Sequence, residues 1–272
     1  MKYGIMEGFR MYNTKVSYGL TPDDDRVSLF SKAGELGFQG IEFGIDLDYR
    51  EDPLWTGDGN TRQAMREVSQ TTGVKAASVC LHLLNYKEHS PASDEAEHRE
   101  TAGEIIRNTI EACVYIGAEV ILLPFFGTAA LRSEEQIQHL VGEMKTLSPI
   151  AEDKGVCLAL ETSLNADDMV RIVEAIESDY VQVYFDTGNA AGIGYNIVQE
   201  IEGLGKYIVQ THIKDTPSIR MLGEGNIDFE AAIGALKKVG FKGYLMLETP
   251  STEDSVAAAV KNLAYIKGVV ER

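Results

Sequence analysis

The chain has 272 residues, 44% of them hydrophobic, enough for one large core, and α/β barrels run to about 250 residues as a single unit. Forty-two acidic against 25 basic residues give a net charge of −17, which repels phosphodiester backbones and counts against a nucleic-acid partner. The longest apolar runs, such as Val120–Phe126, are strand-length and fall short of the roughly 20 residues that span a bilayer, so no membrane partner is expected.

Met1–Arg10 already carries Lys2, Glu7 and Arg10, unlike a secretory signal peptide, and a cytoplasmic location is the expectation. Cys80, Cys113 and Cys157 are odd in number and widely spaced with no CxxC pair; buried, inert thiols are expected, without a disulfide framework or thiolate zinc site.

Short apolar or β-branched runs alternate with amphipathic stretches from end to end. Strands are predicted at Lys2–Met6, Gly40–Gly44, Lys75–Cys80, Glu119–Leu123, Val156–Glu161, Val181–Asp186, Tyr207–Ile213 and Gly243–Glu248. Helices are predicted at Asp25–Leu36, Thr61–Thr72, Asp94–Ile116, Ser133–Lys154, Ala166–Ile176, Phe229–Val239 and Thr252–Val269. In the stretch from Phe229, apolar residues recur with the 3.6-residue helical period. Gly37, Gly73, Gly117, Gly155 and Gly240 each stand between a helix and the next strand, where a left-handed C-cap costs glycine nothing. This punctuation describes a parallel sheet of βα units, and eight such strands favour a closed (β/α)8 barrel over a doubly wound sheet. No linker divides the chain, so residues 1–272 read as one domain. The long connections at Ile45–Asn60, Leu81–Ser93, Phe125–Ser133 and Lys214–Asp228 all follow strands, on the face where barrel enzymes carry their sites.

The last four strands end in VCLALET, VQVYFDTGN, YIVQTHIKDT and GYLMLET, with terminal polar residues Glu161, Asp186, His212 and Glu248. Their separations of 25, 26 and 36 residues are each about one βα unit, which brings neighbouring strand ends together. One acid at a strand end is usually a capped or solvated group; four in succession point to a site. Three carboxylates and an imidazole facing one another require a cation between them, and the donor set suits one divalent metal ion: Mn2+, Mg2+, Co2+ or Zn2+.

ALET around Glu161, FDTGN at Phe185–Asn189, HIKDT at His212–Thr216, GEGNIDF at Gly223–Phe229 and LMLET before Pro250 resemble the xylose isomerase-like TIM barrel superfamily. Within it the chain is most similar to sugar-phosphate and ketose 3-epimerases, particularly L-ribulose-5-phosphate (L-xylulose-5-phosphate) 3-epimerases. The resemblance covers nearly the whole chain and extends to IMEGF of the first strand, Trp55 and the SVCLH run at Ser78–His82. It implies metal ligation by Glu161, Asp186, His212 and Glu248. It also implies that Glu161 and Glu248 are the two acid/base catalysts, on opposite faces of a small sugar or sugar-phosphate substrate. The order of DTGN, HxKDT and GEGxxDF is specific for the superfamily, less so for the substrate. Two positions depart from the tagatose-type branch: Asn189 stands in place of a histidine and Ser218 in place of an arginine, with Arg220 two residues on. Asn189 favours the L-ribulose-5-phosphate branch, while no glycine-rich or multi-basic cluster marks a phosphate contact.

His82, Asn189, Lys214, Arg220, Glu7 and Trp55 are the candidate substrate-binding residues. Each has a plain structural alternative: a satisfied histidine, a solvated lysine, a turn built on an Arg220–Glu224 ion pair, a packed tryptophan. Glu42 ends the second strand as Glu7 ends the first, and both could receive substrate hydroxyls or only neutralise basic neighbours. Arg10 and Arg132 are weak phosphate candidates. Three other functions compete with an epimerase or aldose–ketose isomerase. An inosose-type dehydratase shares the ligand set. An abasic-site endonuclease needs a histidine-rich zinc cluster, for which only His212 and His82 stand at strand ends. A non-catalytic sugar-binding protein would not need paired glutamates. The sequence leaves homo-oligomerisation open.

Overall fold

A computed structural model describes residues 1–10, 17–21, 25–57, 59–217, 220–251 and 254–272, with Phe9, Arg10 and Ser17 described by backbone alone. Eight parallel strands close into a barrel: β1 (Lys2–Met6), β2 (Gly40–Ile45), β3 (Lys75–Leu81), β4 (Val120–Phe125), β5 (Cys157–Thr162), β6 (Val181–Asp186), β7 (Ile208–Ile213) and β8 (Tyr244–Leu247). Each strand pairs with its sequence neighbour, and β1 pairs with β8 through Lys2–Tyr244 to Ile5–Leu247, which closes the ring. The doubly wound alternative is thereby excluded.

Strand cores lie within a residue or two of their predicted positions because apolar runs buried on both faces leave little freedom of placement. β2, β3, β4 and β5 run one or two residues further than predicted toward the rim. β8 ends at Leu247 by pairing, yet the Glu248 amide still donates to the Ile213 carbonyl, so the ladder reaches the predicted end. The helices Ser28–Leu36, Gly59–Thr72, Ala96–Ile116, Glu134–Lys154, Ala166–Ile176, Phe229–Lys238 and Ser255–Glu271 pack outside. Gly117 and Gly155 adopt φ of 80° and 68° at two of the predicted helix ends.

Two helices between β6 and β7, Thr187–Ile193 at the strand end and Ile197–Leu204 in the outer ring between Ala166–Ile176 and Phe229–Lys238, have no counterpart among the predicted elements. Their caps were present in the sequence. Asp186 accepts from the amides of Gly188 and Asn189, Gly194 ends the first helix with φ of 98°, and Asn196 caps the second. Among the described residues, no helix is long and apolar enough to cross a membrane. The cysteines are free, with Cys80 and Cys113 buried as expected and Cys157 partly exposed.

Candidate active site

Register places the four residues on one rim. Asp186 and His212 are direct partners across β6 and β7, Glu161 stands opposite Pro124 near the end of β5, and Glu248 follows β8. All four are buried, with relative exposures of 5% for Glu161, 4% for Asp186, 3% for His212 and 9% for Glu248. His212 Nδ1 stands 3.2 Å from Glu248 Oε2, 3.9 Å from Asp186 Oδ2 and 4.0 Å from Glu161 Oε1.

Two motifs lock together above this cluster. The Thr187 hydroxyl accepts from the Lys214 amide and donates to its carbonyl, fixing the backbone from which the lysine projects. A Cβ at Gly188 would stand 2.8 Å from Lys214 Cγ, so the glycine of DTGN leaves the path that the lysine of HIKDT takes. Lys214 Nζ reaches Glu248 Oε2 at 2.8 Å and Asp186 Oδ2 at 2.9 Å, the latter an ion pair without hydrogen-bond alignment. The side-chain amide of Asn189 donates to Glu161 Oε1 at 2.9 Å.

The adjacent Asp215 serves the fold. Its Oδ2 accepts the amides of Gly223 and Gly225, both at 2.9 Å, and its Oδ1 those of Thr216 at 2.8 Å and Ile227 at 3.3 Å. A Cβ at Gly225 would come within 2.2 Å of Asp215 Oδ1. HIKDT and GEGNIDF thus form one loop anchor, which explains why they occur together.

Charge in the cluster is tightly balanced. Burial pushes the Glu161 carboxyl up to about 8, with Asp186 and Glu248 adding to the effect and His212 and Lys214 opposing it. Burial also raises Glu248, against Lys214 and His212. For Asp186 burial is outweighed by the Lys214 and His212 charges, and the carboxyl stays below its ordinary value. Burial alone would depress His212, but Glu42 and Glu248 hold its imidazole at about 10. Lys214 is likewise held charged against burial by Asp186 and Glu248.

The donor chemistry fits a divalent ion. Ligand atoms of Glu161, Asp186 and His212 lie within 4.8 Å of one another. Atoms bound to one ion at about 2.0–2.3 Å stand no more than about 4.6 Å apart, so small adjustments suffice. His212 Nδ1 is buried without a hydrogen-bond partner, which is costly for a polar atom, and Asp186 Oδ2 is buried with only the Lys214 ion pair beside it.

A cavity of about 530 Å³ opens over the cluster, within the range of roughly 300–1,000 Å³ usual for small-molecule sites. Glu161, His212 and Glu248 line it together with Asn189, Lys214, His82, Tyr18, Cys80, Asn85 and Phe126. His82 lies just past β3, its ring against Gly44, where a Cβ would come within 2.9 Å. Burial holds its imidazole below the ordinary histidine value.

Three candidate substrate residues do not line this cavity. Glu7 accepts from Arg26 Nε at 2.7 Å and from the Gly44 amide, and Asp52 completes that ion cluster. Trp55 packs edge-on against Tyr49 with ring centroids 4.7 Å apart. Arg220 is exposed and donates to the Pro217 carbonyl. The anticipated Arg220–Glu224 pair is absent from the described contacts; Glu224 pairs with Lys261 instead, across the loop edge. Arg132 donates to the Gly127 carbonyl. The Arg10 side chain and Ser218 lie outside the described residues. Glu42 is fully buried beneath the cluster, with its Oε1 2.7 Å from His212 Nε2.

The closed βα barrel with an acidic, histidine-containing pocket at its C-terminal rim defines an enzyme-type barrel. The chain belongs to the xylose isomerase-like TIM barrel family, whose pattern matches residues 30–268. It is 28% identical over 251 residues to the L-ribulose-5-phosphate 3-epimerase UlaE of Shigella boydii, covering 86% of each chain. It is also 28% identical over 204 residues to an uncharacterized Methanocaldococcus jannaschii protein, covering 69% of this chain and 70% of that one. The D-psicose 3-epimerase of Clostridium cellulolyticum H10, solved with D-tagatose, superposes with a TM-score of 0.82 at 17% identity over 99% of both chains. The 3-keto-D-glucoside 4-epimerase YcjR of E. coli gives 0.79 at 19% identity, covering 98% of this chain and 99% of that chain. At such identities the structural likenesses establish the fold.

Proposed function

We propose that the chain is a metal-dependent epimerase of a ketose or ketose phosphate, inverting the carbon next to the ketone. The observation that carries this reading is the pair of buried carboxylates, Glu161 on β5 and Glu248 after β8. Their strands are separated by β6 and β7, so the two reach the cavity from different sides. The named epimerases among the relatives and structural neighbours support the same chemistry.

Epimerisation removes a proton from one face of a carbon and returns one to the other, which requires a base on one side and an acid on the other. One glutamate enters as carboxylate and takes the proton; the other enters protonated and donates, and the two leave with exchanged states. The Asn189 amide holds Glu161 Oε1 and thereby fixes how that carboxyl faces the cavity. Lys214 places a positive charge beside Glu248 and faces the same cavity, where it can neutralise charge on a substrate oxygen or phosphate. His82 and Asn85 line the cavity and offer polar contacts for hydroxyls. Glu161, Asp186, His212 and Glu248 would hold the metal, which supplies a fixed positive centre for negative charge developing on the ketone oxygen.

The test is direct. Protein supplied with Mn2+ is incubated with ketopentoses, ketohexoses and their phosphates, and products are resolved by chromatography and NMR. The expected product is the C3 epimer. A product lacking one water would replace this reading with the dehydratase, and no turnover of any of these sugars would contradict it.

A further inference from the structure

Beneath the rim, where barrel interiors are usually filled by branched apolar side chains, four strands contribute a closed polar network. Glu42 of β2, Ser78 of β3, Tyr184 of β6 and Gln210 of β7 are 0%, 0%, 1% and 2% exposed. The Gln210 amide nitrogen donates to Ser78 Oγ at 2.7 Å and to the Tyr184 hydroxyl at 3.1 Å. Both hydroxyls donate in turn to Glu42 Oε2, Ser78 at 2.6 Å and Tyr184 at 2.8 Å. Glu42 Oε1 faces His212 Nε2 at 2.7 Å. None of these four residues leaves a buried side-chain donor or acceptor unpaired.

The direction of every proton follows from the chemistry of the groups. An amide nitrogen only donates, so the two hydroxyls spend their single protons on Glu42. A carboxylate only accepts, so the hydrogen between Glu42 and the imidazole belongs to His212 Nε2. A neutral His212 then carries its lone pair on Nδ1, the atom that faces Glu161, Asp186 and Glu248. The side chain of Tyr184 also packs on the imidazole, with ring centroids 4.5 Å apart, which restrains rotation of the ring.

We propose that Glu42 is a positioning residue that, oriented by Ser78, Tyr184 and Gln210, fixes His212 in the tautomer and ring orientation that presents Nδ1 to a metal ion. The inference rests on the metal reading of the rim cluster given above. Glutamine has the size of glutamate but cannot replace it here. An amide nitrogen at the Oε2 position would face two hydroxyl donors. At the Oε1 position it would face Nε2–H and drive the imidazole proton onto Nδ1, where it blocks ligation. Partners of this kind typically contribute about 10- to 100-fold to metal affinity.

The experiment compares Mn2+ affinity by calorimetry for wild type, Glu42→Gln, Tyr184→Phe and Ser78→Ala, with circular dichroism confirming the fold of each metal-free protein. Glu42→Gln is expected to bind Mn2+ about 10- to 100-fold more weakly. The two hydroxyl deletions, each removing one donor to Glu42, should lose less, in the same direction. In wild-type protein labelled with 15N-histidine and loaded with Zn2+, long-range NMR correlations should show His212 protonated on Nε2 with Nδ1 bound to the ion. An Nδ1 proton, or Nε2 on the metal, would overturn the inference. So would unchanged Mn2+ affinity in Glu42→Gln or, should that variant not fold, in both hydroxyl deletions. Failure of the wild type to bind Mn2+ or Zn2+ would overturn the metal reading and this inference together. Wild-type binding with unaffected variants overturns this inference alone.

Discussion

Lys214→Met separates two roles that a buried cation can play beside a metal site. The Lys214 ammonium stands 2.8 Å from Glu248 Oε2 and 2.9 Å from Asp186 Oδ2, on two carboxylates that the metal reading assigns to the ion. A divalent ion must weaken both contacts or push the ammonium toward the cavity. A hydrogen bond to a charged group contributes about 1.5–3 kcal/mol, so giving up the contact to Glu248 alone opposes metal binding by about that much. Methionine keeps the stem and removes the competition. Mn2+ affinity should therefore rise by roughly 10- to 100-fold, since about 1.4 kcal/mol is tenfold. The metal-free variant should change in the opposite direction. Removing one partner of a buried ion pair costs about 3–5 kcal/mol, which for a chain of this size lowers the melting temperature by on the order of 10 °C. Calorimetric titration with Mn2+ and melting curves with and without the ion measure both effects. Mn2+ binding that is equal or weaker in Lys214→Met would show that the ammonium does not compete with the ion.

Glu161→Gln and Glu248→Gln should each reduce net epimerisation by at least about 10²-fold while retaining part of the metal affinity; near-normal turnover in both variants with metal bound would contradict the two-base mechanism. His212 and Glu161 have folded values of about 10 and about 8, above their unfolded ones. The stability they contribute is full below about pH 4.3 for Glu161 and about pH 6.5 for His212, and is lost as pH rises through about 8 and about 10. The melting temperature of metal-free protein in EDTA should therefore fall between pH 6 and 10, while Mn2+ affinity should rise over the same range as both groups release protons; a flat profile of either kind contradicts the charge balance described. Asp215→Ala orphans the amides of Thr216, Gly223, Gly225 and Ile227. Loss of the bonds to this buried carboxylate should lower the melting temperature by several degrees and speed hydrogen exchange at Gly223 and Gly225. Slow exchange there would show that the loop stands without its anchor.

The barrel was legible because its signals are local and repeated: apolar runs, helical periods and glycine at helix ends. The rim cluster was legible for the same reason, since Glu161, Asp186, His212 and Glu248 each end an apolar run. Glu7, Arg220 and Trp55 were harder, because whether a charged or aromatic side chain near the rim meets a substrate depends on which distant residue reaches it first. Arg26, 19 residues beyond Glu7, occupies that glutamate. Glu42 illustrates the same difficulty from the other side. It lies within β2 rather than at its end, while Glu7 stands just past β1. Its partner His212 lies 170 residues away, and only barrel closure brings them together. The helices after Asp186 are hidden in the sequence although their caps are visible, because Asp186 ends a strand and caps a helix at once.

Solvent isotope incorporation reports proton transfer at C3 itself. Protein loaded with Mn2+ and supplied with a ketose it epimerises is run in D2O, and substrate and product are examined by NMR and mass spectrometry. One deuterium per product molecule is expected, at C3 alone, with incorporation abolished by EDTA and restored by Mn2+. Epimerised product without solvent deuterium, deuterium at a different carbon, or turnover indifferent to EDTA would contradict proton exchange between two glutamates at a metal-assisted C3 centre.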